Sequence, residues 1–462
     1  MPCMRRVVPH RYCLRHRCRR GRVVLLAAVP CGAALRSGFG LAMSEKAVLQ
    51  LPRSAPLAEG IAAPVNVGVM PSQRLRDLIS QGHISSERTF GRSQIQPASL
   101  DLRLGEYAHS LRCSFLPDDQ TVAEKLSRFE IGRVDLRDGA ILERNRPYLI
   151  PLLETVALPR DLSARANPKS STGRLDMFTR VVTDYSHRFD DVAAGYKGDL
   201  WLEVVSRSFT VKVRTGLALN QLRVMRGTHI GLRDNGIREQ HVRTPLLYEH
   251  GRAFTAKELP LGGGLFLSLA LAEHDGSRVG WRAKKNSALL DLERVGVHDA
   301  RDFWEPVRPE RGGGIILEPE EFYLLLSREA VRVPPDLACE MTAYDPTSGE
   351  LRTHYAGFFD PGFGHRRTKP GSRAALEVRA HDVPFMVEDG QRICKLVFEP
   401  MAETSDTLYG EGSHYQFQEQ TLSKHFTPEP RASLGLARQV AGVADSDSEG
   451  GPGPDQTVLF EG

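Results

Sequence analysis

The chain has 462 residues, 41% hydrophobic and 26% charged, with a formal net charge of +4. That length supports two or three domains, each with its own core; the small charge excess, with no basic stripe interleaved with aromatics, gives no sign of a nucleic-acid partner. No apolar run reaches membrane-spanning length, and the seven cysteines follow no recognised spacing, which argues against a secreted disulfide framework.

Residues 1–42 are rich in arginine and hold no Asp or Glu, and Val23 to Val29 form a short apolar run. The composition resembles a signal or transit peptide. The reading we favour is that translation begins at Met43, since nothing downstream needs an oxidising compartment. Residues 1–67 are therefore read as a basic extension, and a cytoplasmic location is expected. Ser72 is read as the cap of a helix in which Leu75, Leu78 and Ile79 share a face and Gly82 ends the run. Beyond it the signal is β: short apolar stretches such as Leu200–Val205 and Phe322–Leu326 are bounded by Gly, Pro, Asn and Asp. The body is expected to be all-β with a few short helices, a sandwich or barrel. Residues 68–228 form one unit and 255–426 another, with an irregular, polar connection at 229–254. A turn of helix is expected at Ala300 to Phe303, and the Gly-, Pro- and Ser-rich tail 427–462 reads as disordered.

The two units repeat one passage. Ile141-Leu142-Glu143, Leu153-Glu154 and Leu158-Pro159-Arg160-Asp161-Leu162 return as Ile316-Leu317-Glu318, Arg328-Glu329 and Val333-Pro334-Pro335-Asp336-Leu337. Each unit also has a Ser-centred strand near its start, Pro97–Leu102 and Phe266–Leu271, the second without the aspartate. The copies keep different chemistry. The first retains Lys169-Ser170-Ser171-Thr172-Gly173-Arg174; the second replaces it with Met341-Thr342-Ala343-Tyr344-Asp345 but carries Gly357-Phe358-Phe359-Asp360-Pro361-Gly362. Complementary losses suggest one site assembled from both copies.

A cation, two hydroxyls and backbone amides beside Gly173 suit phosphate oxygens, although such a run is also an ordinary polar turn. Asp360 before Pro-Gly either accepts a sugar hydroxyl or closes an Asx-type turn. Glu203 and Glu377 occupy matching places in apolar strands; each is either paired with an arginine or kept partly protonated for proton transfer. The zinc deaminase signature, the Walker loop, the Rossmann glycines and the nucleophile elbow are all missing.

Together these residues resemble the deoxycytidine triphosphate deaminase family, in its long, internally duplicated bacterial form, within the trimeric deoxyuridine triphosphatase fold. Gln96–Gly105 resembles the family's first motif, and Lys169–Leu175 its Arg-Ser-Ser-x-x-Arg motif with Lys in place of the first Arg. Thr353–Gly364 resembles its Ala-x-x-x-Asp-Pro-Gly-aromatic segment. Tyr409-Gly410, Ser413-His414-Tyr415-Gln416 and Gln418 resemble its closing segment, with His414 where a lysine is usual. The resemblance covers about residues 70–426. It implies a tandem pair of barrel or jelly-roll domains that convert dCTP to dUTP and ammonia, in pyrimidine deoxynucleotide synthesis.

The resemblance also implies roles. Glu377 would shuttle protons, Ser170 and the Ala356 carbonyl would hold the water, and Arg174 would orient the glutamate. Lys169 and Ser171 would contact phosphate, Asp360 the deoxyribose, and Tyr409, His414 and Gln418 would cover the nucleotide. A reciprocal site would pair Glu203 and Asp184 with the Tyr344-Asp345 region and is expected to be weak. Magnesium would ride on the triphosphate, with no zinc and no protein-held metal. A homo-oligomer is expected, since trimeric relatives place three units around an axis and this chain supplies two. The alternatives are pyrophosphate release from dUTP, alone or after deamination, and a non-catalytic nucleotide sensor. At the end of the chain, Gln456, Leu459 and Phe460 resemble a sliding-clamp docking peptide, or match it by chance.

Overall fold

The computed structural model describes residues 67–228, 231–271, 278–343, 351–353, 357–366, 369–380, 382–410, 415–418 and 421–428. Ala356, His414, Gln456, Leu459, Phe460, the Tyr344-Asp345 region and the segment around Met43 lie outside the described residues.

Alternating apolar residues build two sheets in each copy. In the first copy, strands 68–69, 218–226, 162–168, 191–192 and 100–103 form one sheet, and 130–135, 107–111, 148–157, 197–206, 177–182 and 84–86 the other. In the second, strands 265–268, 392–400, 337–343 and 358–359 form the counterpart of the first sheet. Strands 322–331, 372–380, 280–283, 304–307, 351–353 and 247–249 belong to the counterpart of the second. The tandem all-β architecture is as expected.

Strand register fixes the correspondence between copies. Ala164 faces Val192 and Val224, and Cys339 faces Phe359 and Phe398. Glu203 faces Leu149 as Glu377 faces Leu324, so the two glutamates are equivalent. The same register places two further counterparts, one of them against the expected match of the Ser-centred strands. The residue after Val192 is Ala193, and the residue after Phe359 is Asp360, so Ala193 is the first copy's counterpart of Asp360. Leu100 faces Leu222 as Leu265 faces Leu396, which aligns Arg103, not Ser99, with Ser268. Both amides donate to the conserved place in the repeat, Arg103 N–H to Glu154 Oε2 at 2.7 Å and Ser268 N–H to Glu329 Oε2 at 2.9 Å.

The helices are short. Helix α1 spans Ser72–Ser80 and ends as expected near Gly82, whose φ of +73° favours glycine. Its cap is Pro71, and Ser72 is the first helical residue. The Ser72 hydroxyl is drawn instead to Ser405 (3.1 Å) and to the Asp406 carboxylate, which ties the helix to the far end of the second copy. Helix α2, Val122–Phe129, opens on a reciprocal Thr121–Glu124 capping box. Helix α3 is the single turn Ser170–Gly173. Helix α4, Asp234–Arg243, lies inside the stretch expected to be irregular, and strand 247–249 follows it into the second copy's sheet. That helix buries Ile237, Gln240 and His241, too few apolar residues to give a helical period.

The copies share a core. Trp281, Leu290, Leu292, Phe303, Trp304, Leu422 and Phe426 of the second pack into the apolar cluster of the first. Strand 290–291 pairs in parallel with 211–213 of the first copy. Phe426 rests among Phe303 (5.4 Å between ring centres), Trp304 (6.0 Å) and His298 (6.4 Å), which anchors the closing segment. No helix among the described residues is long and apolar enough to cross a membrane.

Candidate active site

Between the copies lies a cleft of about 670 Å³, counting its open mouth. The first copy supplies Pro168, Lys169, Ser170, Gly173 and Arg174, all on or beside α3. The second supplies Glu377 on strand 372–380, the aromatic wall Phe358, Phe359 and Phe363, and Tyr409, Tyr415 and Gln418 from the closing segment.

Pro168 ends a strand, and Lys169 begins the turn with extended backbone (φ −67°, ψ 147°). The amides of Thr172 and Gly173 donate to Lys169 O (2.8 and 3.0 Å), and that of Arg174 to Ser170 O (3.3 Å). Those amides, expected to meet phosphate, are therefore used within the turn. Gly173 lets the glutamate approach: an added Cβ would stand 2.7 Å from Glu377 Oε1 and 2.9 Å from its Cδ. The carboxyl thus packs on the backbone of the other copy, where no larger residue fits.

Burial pushes Glu377 up to about 8, against the pull of Arg174, and the negative charge of Asp176 adds to the rise. The side chain is only half-buried by its exposed surface, because it faces the cleft, yet protein surrounds it closely. Arg174 is buried; it donates to Thr421 O at 3.1 Å and lies over the Tyr415 ring, 3.9 Å from its centre. Its Nε has no partner among the described residues.

Lys169 is ion-paired with the buried Asp101. Burial raises the Asp101 carboxyl, opposed by Lys169, and lowers the half-buried ammonium of Lys424, which the charge of Lys169 lowers further. Two lysines, one from each copy, therefore stand at this edge. Lys424 was not singled out from sequence and carries no local signal; Tyr415 and Gly173 were named within their motifs, but not for contact with Arg174 and Glu377.

Lys169, Ser170, Arg174, Glu377, Tyr409 and Gln418 are brought together as expected. Ser171 and Asp360, expected here, and Glu203 and Asp184, expected in the reciprocal site, are placed as follows. Ser171 is buried, its carbonyl accepting from Ser423 Oγ at 2.8 Å. Asp360 is buried behind the cleft wall, where it accepts from Arg223 (3.0 Å) and Ser99 (3.4 Å); burial raises its carboxyl, opposed by Arg223. Glu203 is 2% exposed and paired with Arg180, the residue opposite it on the neighbouring strand. Asp184 accepts the amide of Val122 at 2.7 Å and serves the start of α2.

The same division appears in family models. Residues 66–228 match the 2'-deoxycytidine 5'-triphosphate deaminase (DCD) N-terminal domain, and residues 233–426 match its C-terminal domain. The crystal structure of 2'-deoxycytidine 5'-triphosphate deaminase from Agrobacterium tumefaciens superposes with a TM-score of 0.68 at 46% sequence identity, over 73% of this chain and 99% of that one. The chain belongs to the 2'-deoxycytidine 5'-triphosphate deaminase family. Curated relatives of the family cover smaller parts of it. The dCTP deaminase of Ignicoccus hospitalis is 28% identical over 34% of this chain and 86% of its own length. The dUMP-forming dCTP deaminase of Methanobrevibacter smithii is 32% identical over 24% of this chain and 56% of its own.

Proposed function

We propose that the cleft hydrolyses the C4 amino group of dCTP, giving dUTP and ammonia, with Glu377 as the proton shuttle. The observation that carries this reading is the Glu377 carboxyl, raised to about 8 and packed on Gly173 between Ser170 and Arg174. At neutral pH such a group holds its proton and can give it to the ring nitrogen N3. The carboxylate that results is offset by Arg174 and can take a proton from water as the oxygen attacks C4. That proton then passes to the amine, which leaves as ammonia, and the proton of the new C4 hydroxyl returns to the Glu377 carboxylate as the C4 carbonyl forms. Ser170 would hold the water, together with the Ala356 carbonyl.

Lys169 and Lys424 would meet the triphosphate. Ammonium groups suit phosphate oxygens and not a divalent cation, so magnesium would enter with the nucleotide. Phe358, Phe359, Phe363 and Tyr409 would flank base and sugar. Assembly of chains into an oligomer belongs to the same proposal.

A second reading is onward hydrolysis to dUMP, which the name of the Methanobrevibacter relative brings forward. Incubation with magnesium dCTP, with ammonia assayed and nucleotides separated, tests both. Ammonia with equimolar dUTP is expected; dUMP with pyrophosphate selects the second reading, and binding without ammonia overturns both.

A further inference from the structure

Two residues past Arg174 in the first copy stands Asp176, and two residues past Glu377 in the second stands Arg379. Alternation along the strand puts Glu377 and Arg379 on the same face. Arg379 pairs with the Asp176 carboxylate across the seam, and also donates to Glu320 O. Asp176 further accepts from Ser208 Oγ at 2.5 Å, and its carbonyl takes the Arg207 amide at 2.9 Å. Arg207 in turn pairs with Glu320 at 2.7 Å. Both members of the pair are buried, with side chains 0% and 4% exposed. Asp176 adopts φ +56°, a left-handed conformation uncommon outside glycine, so the chain is bent at the residue that supplies the anion.

We propose that Asp176 and Arg379 are a positioning pair for Glu377: they register its strand against the α3 turn and balance the charge around its carboxyl. The proposal rests on Glu377 being the proton shuttle. A buried ion pair is a weak stabiliser when compared with apolar residues of the same volume, so a purely cohesive role would not require charges here. Register does require a fixed contact, because the Glu377 carboxyl has little room above Gly173. The charged groups that act on Glu377 are Arg174 and Asp176 from the first copy; Arg379 shares its strand face and reaches Asp176, and Tyr415 of the closing segment lies over Arg174. The neighbouring strand presents Leu324, which is uncharged.

The test is the pH profile of kcat/KM for dCTP in the full-length protein. Wild type is expected to lose activity above about pH 8, as Glu377 gives up its proton. Asp176→Asn removes an anion and leaves the Arg379 cation, so the falling limb should move about one pH unit toward acid. Asparagine can still accept from Arg379 and hold the register, so beyond any loss common to all pH values the activity relative to wild type should fall about fivefold between pH 6 and pH 8. Arg379→Met should leave the limb in place or move it toward higher pH. A pair that only holds the copies together would move neither limb, and that result overturns the proposal; so does an acid shift in both variants. Should Asp176→Asn fail to fold, the apolar pair Asp176→Leu with Arg379→Met decides: kcat should fall about tenfold or more with KM within about twofold, and an unchanged kcat overturns the proposal. Glu377→Gln separates the two levels. If it stays active, the shuttle assignment fails; if it is inactive while Asp176→Asn leaves the limb fixed, only the positioning pair fails.

Discussion

Replacing Glu377 with Gln should abolish deamination and stabilise the protein, increasingly as pH rises. Burial raises the folded-state carboxyl from an ordinary 4.5 to about 8. Between those values the native state holds a proton that the unfolded chain has released. Stability therefore falls as pH rises through that window, and it levels off above about pH 8. A shift of roughly 3.5 units at about 1.36 kcal/mol each gives a ceiling of ~5 kcal/mol. Contact of the carboxyl with the open cleft reduces this to about 2–3 kcal/mol. Glutamine has the same shape and no proton to lose, so the variant lacks this slope. Urea unfolding of both proteins at pH 5.5 and pH 9 measures the effect. The gap between variant and wild type should be under about 1 kcal/mol at the lower pH and about 2–3 kcal/mol at the higher. Equal gaps at both pH values would refute the argument, because they would mean that Glu377 ionises in the folded state as it does in water.

Gly173→Ala keeps helical backbone geometry but puts a methyl where the Glu377 carboxyl lies. We expect kcat to fall about a hundredfold with KM little changed in steady-state kinetics, and overpacking to cost roughly 1–3 kcal/mol of stability in calorimetry. Glu203→Gln should leave kcat/KM within about twofold and cost roughly 1–2 kcal/mol in chemical unfolding, because its Arg180 partner is exposed enough to turn to water. Lys169→Ala should raise KM for dCTP about tenfold at low salt, with the difference shrinking as salt is added; an effect on kcat alone would place the lysine away from the phosphates.

Much of this was legible in the chain because it is local or repeated. The doubled passage gives the two barrels, and the complementary retention of Ser170 and Arg174 in one copy and Glu377 in the other gives a shared cleft. The equivalence of Glu203 and Glu377 also holds in the strand register. What escaped depends on contacts between residues far apart in sequence. Asp360 is taken by Arg223 of the other copy and is not free for substrate; for Glu203 the arginine-paired alternative holds, with the partner, Arg180, set by strand register. Ser171 has the right chemistry but lies on the buried side of a one-turn helix. Asp184 was expected beside Glu203 in a reciprocal site, whereas it accepts the Val122 amide at the start of α2. Helix α2 had a readable signal in Thr121 and Glu124, and α4 had almost none. The close fit of Gly173 to Glu377 could not be read locally, since it joins residues 204 positions apart.

In the function proposed above, each chain holds one working site, assembled from its two copies. Calorimetric titration of the Glu377→Gln variant with magnesium dCTP tests it most directly, because binding is then separated from turnover. One nucleotide bound per chain is the predicted result; two per chain, with the second site surviving Lys169→Ala, would contradict it.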